Sequence, residues 1–234
     1  MPRVHDPDRW GMIQRVGRAL VLVAGLCASS LWGGCNIVTP LAGLAGGPPM
    51  ADAQYVLADV PTVVFVDDRA NHLDPNTLRR VIADKISQDL MSNKALTMTI
   101  SPQDAMLLAS RNDRARNLMN IQEIGKAVGA QQIVYVEIAT FEDTPDGYTP
   151  RPTAQANVKV IDVAAGQRVF PDANAPRGWS VHVNGAPADP SLFASRSSRL
   201  KIHESLANDL GYEVARLFYR HEIKELGTRV GGQH

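Results

Sequence analysis

The sequence predicts an α/β fold, with a mixed β-sheet flanked by helices, an antiparallel meander in the second half and a long C-terminal helix. Three observations carry this. "PTVVFVDD" holds a continuous apolar run, Val63–Val66, bounded by Pro61 and Asp67, which reads as a buried strand. "QQIVYVEIATFED" and "TAQANVKVIDV" are two further strands, the second alternating through Ala154, Ala156, Val158 and Val160. A last stripe of Leu200, His203, Leu206, Leu210, Val214, Leu217 and Phe218 recurs at helical spacing, with Tyr212 and Tyr219 beside it.

The remaining elements follow in chain order. After the first strand, Asp74 is expected to cap a helix with Pro75 in its first position. Leu78, Val81, Ile82, Ile86 and Leu90 form its buried face, and Asn93 ends it. "ALTMTI" alternates Leu96, Met98 and Ile100 and reads as a strand. Ser101 caps the next helix, with Pro102 inside and Asp104 in the first turn. Asn120 caps a short helix with Ile121, Ile124 and Val128 on its apolar face, and Gly129 is its left-handed stop. Asp162 and Gly166 specify a hairpin into "QRVF", and "WSVHVNG" adds the last strand.

The first residues depart from this pattern. Arg3, Arg9, Arg15 and Arg18 precede an apolar run, Ala19–Ala28, which is shorter than the ~20 residues of a membrane-spanning helix. Basic, apolar and small residues in that order describe a signal peptide, expected over 1–34. Translation from Met12 gives a more compact basic region than translation from Met1. Gly33, Gly34 and Cys35 look like the end of a bacterial lipobox, in which the cysteine thiol accepts diacylglycerol and the freed amine is acylated. Trp32 stands where such motifs usually carry Leu. Cys27, preceded by Leu26 in the apolar run, is the poorer candidate. The competing reading is an ordinary signal peptide cut near Gly34 or later, with Cys35 incidental. Residues 35–56 are rich in Gly, Pro and Ala and read as the lipidated cysteine and a flexible tether. Residues 57–222 form the α/β domain and 223–234 a tail.

The chain has 234 residues, 44 % hydrophobic and 21 % charged, with a formal net charge of zero. That is enough apolar material for a core, and the charge gives no sign of a nucleic-acid partner. Loss of Cys27 and acylation of Cys35 would leave no thiol for a disulfide.

The strand ends carry acidic residues. Asp67 and Asp68 close the first strand and Glu142 and Asp143 the strand after Gly129; a carboxylate site at Asp67 and Asp68, joined by Glu142, is the enzymatic alternative. The bland reading is a solvated pair at a strand terminus. His5, His72, His182, His203, His221 and His234 show no metal-ligand spacing. His182 is expected to face outward on its strand, and His203 to be a satisfied, partly buried imidazole. Ser180, Ser191 and "SRSS" lack a nucleophile-elbow context, and no phosphate-binding glycine motif occurs. Arg111, Arg114 and Arg116, with Asp113 among them, read as a solvated helix end or loop. No catalytic residue, cofactor or metal is expected.

"PTVVFVDD" with its following helix, "IGKAVGAQQIVYVEI" and "ANVKVIDVAAGQRVF" together resemble the superfamily of α/β domains found in the amino-terminal part of TolB, in CsgG and in LpoB. Gly129-Ala130 leads into a strand there, and Asp162 and Gly166 close the returning one. Gln131 and Glu137 depart from the Asp and Gly usual at their places. The resemblance covers residues 57–222 and implies a non-enzymatic envelope domain that binds proteins or assembles into rings. No additional membrane-spanning hairpins of the curli-pore kind are visible, which disfavours a pore. The expectation is a lipid-anchored cell-envelope protein facing the periplasm, acting as an interaction or assembly module. Its partners would be the membrane, through the anchor, and an unidentified envelope protein, with a homo-oligomer compatible. Asn36 after Cys35, rather than Asp, favours the outer over the inner membrane.

Overall fold

The computed structural model describes residues 48–112 and 119–223. Cys27, Cys35, the expected signal peptide, the tether up to residue 47, most of "NDRARN" and residues 224–234 lie outside them. The chain divides at Pro49, and the unit beginning at Met50 is the one described below.

Its strands are β1 (Met50–Ala51), β2 (Thr62–Asp67), β3 (Thr99–Ile100), β4 (Gln132–Glu142), β5 (Thr153–Asp162), β6 (Gln167–Phe170), β7 (Trp179–Asn184) and β8 (His221–Glu222). The helices are α1 (Leu78–Ser92), α2 (Pro102–Asn112), α3 (Ile121–Ala127), α4 (Pro190–Ala194) and α5 (Arg196–Ala215), the last continued by a 3₁₀ turn, Arg216–Phe218. The main sheet runs β3-β2-β4-β5-β6, with β7 also on β5, and a separate ribbon joins β1 to β8. β2 is parallel to β3 and β4; β5 is antiparallel to β4, β6 and β7. This is the expected mixed sheet with an antiparallel second half and a long last helix.

Strand alternation sorts the core into two layers. On one face Val64, Val66, Val134, Val136, Val158 and Val160 meet Ile82, Ile86 and Leu90 of α1 and Leu206, Leu210 and Val214 of α5. Burying each such side chain contributes ~1.5–3 kcal/mol. On the other face Val63, Phe65, Ile133 and Tyr135 meet Ala105 and Ala109 of α2 and Ile124 of α3. This second layer is smaller, because the odd-numbered side of β5 is polar. Gln155, Asn157 and Lys159 there are half-buried, and Ser180 and His182 beside them on β7 are exposed, His182 as expected.

Several local signals act as read. Asn120 accepts from the Gln122 amide while Glu123 reaches back to the Asn120 amide, a reciprocal cap for α3. Gly129 follows at φ 77°. The Asp162 carboxylate accepts from the Ala165 amide, and Gly166, at φ 69°, donates to the Asp162 carbonyl.

Four details differ from the expectation. Helix α1 begins at Leu78 rather than Pro75, and the Asp74 carbonyl bonds instead to the His203 ring. The strand "ALTMTI" shrinks to Thr99–Ile100. The Ala95 and Leu96 amides fold back onto the Leu90 carbonyl, Thr97 binds Asp59, and Met98 is left 54 % exposed. β7 pairs with β5 rather than continuing the meander from β6, so β6 and β7 share one edge of β5 end to end. Met50–Tyr55, read as tether, adheres to the domain. β1 pairs with β8, the Gln54 and Tyr55 amides donate to the Leu217 carbonyl, and the Tyr55 ring lies 5.3 Å from that of Phe170.

Candidate functional site at the far ends of the parallel strands

β2 and β4 run side by side in the same direction, and β4 continues for five residues past the Asp67–Glu137 pair that ends β2. Asp67 and Asp68, adjacent in sequence, point to opposite faces there. Asp68 is buried, and its two carboxylate oxygens accept from the amides of His72 and Leu73 at 2.9 and 2.8 Å. It shapes the loop into α1 and has no oxygen turned to a cleft.

Asp67 lies on the polar face. Its Oδ2 accepts from the Tyr135 phenol at 2.5 Å and from Arg69 Nε at 2.8 Å. Burial, and then the bond to Asp67, push the Tyr135 phenol well above its ordinary value of 10.0. It therefore stays a neutral donor. The register sets Asp67 opposite Glu137. Glu137 pairs with Lys159 at 3.4 Å, and the Lys159 ammonium also lies 5.6 Å from the Tyr135 ring centroid. Two carboxylates and two cations pair within this network.

Glu142 is exposed and lies five residues beyond Glu137 on β4, roughly 16 Å at the ~3.3 Å rise of a strand. Asp67, Asp68 and Glu142 therefore do not converge in one cleft. The edge of β2 past the short β3 is closed by α1: Arg79 donates to the Val66 carbonyl from Nε and from a terminal nitrogen, at 3.0 and 2.7 Å.

A second cluster, which sequence spacing does not reveal, sits on the α1/α5 side of the same end. His203 is 9 % exposed. Its Nε2 lies 2.6 Å from the Asp143 carboxylate, just after β4, and its Nδ1 lies 3.1 Å from the Asp74 carbonyl. Phe141 meets the ring edge-on at 5.4 Å. Asp74, Pro75, Arg196, Arg199 and Leu200 border a small depression beside it. Both ring nitrogens are engaged, so His203 is not a free base. The helical stripe identified the residue as a satisfied imidazole; its partners come from 60 and 129 positions away.

Among the described residues no group of three or more His, Cys, Asp or Glu is placed to hold a metal ion. No described helix is long and apolar enough to cross a membrane.

No protein-family model matches the chain, and no curated protein matches it. Solved structures do. PelC from Paraburkholderia phytofirmans, described as a dodecamer, is 12 % identical over 74 % of this chain and 99 % of its own, with a TM-score of 0.40. Lipoprotein GNA1162 from Neisseria meningitidis is 11 % identical over 60 % and 93 %, with a TM-score of 0.36. The LpoB C-terminal domain from Salmonella enterica is 16 % identical over 56 % and 86 %, with a TM-score of 0.33.

Proposed function

We propose that this chain is a lipid-anchored protein of the bacterial cell envelope, held by acylated Cys35 and working as a non-enzymatic interaction or assembly module. The order of basic, apolar and small residues ending in Gly33-Gly34-Cys35 carries the reading. Acyl chains on the glycerol and on the amine exceed the two signals that stable anchoring takes, at ~0.8 kcal/mol per buried CH₂. The α/β domain faces the periplasm, at the outer membrane in preference to the inner, and binds an envelope protein or copies of itself.

The enzymatic alternative rests on Asp67 and Asp68. Their geometry favours the structural role: one braces a loop through two amides and the other is neutralised by Arg69.

Acyl labelling with a radioactive or clickable fatty acid tests the anchor. Wild type and Cys27→Ser should take up label, whereas Cys35→Ser should lose it and accumulate as the uncut precursor. Normal cleavage and soluble release of Cys35→Ser would make this an ordinary secreted domain.

A further inference from the structure

His203 is set among groups that ask for a proton. Nδ1 faces a backbone carbonyl and Nε2 faces a carboxylate, and neither oxygen can donate a hydrogen bond. A ring that makes both bonds carries a hydrogen on each nitrogen. We propose that His203 is a proton-operated latch, bolting α5 to the β2–α1 loop through Asp74 and to the end of β4 through Asp143, and that loss of one proton releases the Asp74 side.

The choice of side follows from electrostatics. A neutral ring has one N–H and one lone pair. Aiming the lone pair at the Asp143 carboxylate at 2.6 Å costs more than aiming it at the Asp74 carbonyl at 3.1 Å. The remaining N–H therefore stays with Asp143, and the carbonyl loses its partner. The groups facing the ring are Asp143 after β4, Asp74 with its carboxylate in the β2–α1 loop, Arg196 and Arg199 on α5, and the Phe141 edge. Asp143 favours the charged ring, and the two arginines beside the depression oppose it. Asp74–Leu78 is the segment released: the Leu78 amide bonds to the Pro75 carbonyl, and the next turn grows from it. Arg79, which closes the edge of β2, is carried on that same turn.

Histidine-selective ¹⁵N NMR on the full chain reads the ring, and amide-exchange protection reads the loop, both from about pH 5 to 8. Two protonated ring nitrogens are expected at the acid end. As the ring titrates, protection at Leu78 and Arg79 should fall about five-fold, the factor for losing one ordinary hydrogen bond. Protection at Val134 and Val136 should hold. Asp143→Asn removes the favouring charge and should move both midpoints together to lower pH. This variant keeps the test alive if His203→Gln does not fold. A neutral ring of one tautomer throughout the range would overturn the latch. So would loop protection that ignores the ring's titration, or midpoints unmoved in Asp143→Asn.

Discussion

Tyr135 and Asp67 join two parallel strands through one short bond, the phenol donating to the carboxylate at 2.5 Å. Tyr219, in the turn after α5, is also pushed up, to about 12, by burial and then by the nearby Asp89 charge. Each phenol is held neutral in the fold, whereas the unfolded chain releases its proton near 10.0. Their contribution is therefore fully present below pH 10 and is lost as pH rises through the folded values. Thermal melting from about pH 9 to 11.5 should show a falling midpoint, and the double variant Tyr135→Phe/Tyr219→Phe should fall less steeply. Equal slopes would mean that other groups govern the alkaline limit.

Asp68→Ala should destabilise by ~1–3 kcal/mol, because it leaves the His72 and Leu73 amides without their acceptors. Asp68→Asn keeps one acceptor oxygen and should lose about half as much. Denaturant melts order the three proteins. A neutral alanine variant would return Asp68 to the list of functional acids.

Helices α1 and α5 run parallel, with Asp74 beside His203 at one end and Ile82 and Lys85 beside Gly211 further along. A β-carbon on Gly211 would lie 3.0 Å from the Ile82 carbonyl oxygen and 2.9 Å from Lys85 Cβ. Alanine gains ~1 kcal/mol of helix propensity, but overpacking costs ~1–3 kcal/mol. Gly211→Ala should therefore lower the melting midpoint, and a rise would show that the helices separate freely.

A chain beginning at Leu57 loses the Tyr55 ring contact, two amide bonds to Leu217 and the β1–β8 ribbon. It should melt several degrees lower, since ~1 kcal/mol moves the midpoint of a domain this size by roughly 2–4 °C. A chain beginning at Pro49 should melt as the full one does. If both melt alike, Met50–Tyr55 is tether after all.

Elements fixed by neighbouring residues were legible in the sequence. The apolar run of β2, the Asn120–Glu123 cap and the Asp162–Gly166 turn each act over a few positions. What escaped depends on distant partners. Leu96, Met98 and Ile100 alternate like a strand, yet Asp59 takes Thr97, and the end of α1 takes Ala95 and Leu96. Tyr55 follows a Gly- and Pro-rich stretch, and the Phe170 ring and the Leu217 carbonyl, both far along the chain, make it part of the domain. Asp67, Asp68 and Glu142 were visible as acids, but strand alternation and rise separate them. The Asp143–His203 pair could not be found, because a stripe reports which face of a helix is buried and not what meets it there.

The β1–β8 ribbon bears on how the protein can be labelled. Met50 and Glu222 lie in adjacent strands, so a fluorescent protein or affinity tag joined after Glu222 would crowd the start of the domain at Met50, the side on which the proposed anchor would attach. The exposed turn at Gly147–Tyr148, beyond the end of β4, leaves that segment alone. A reporter inserted there would leave the start of the domain at Met50 clear.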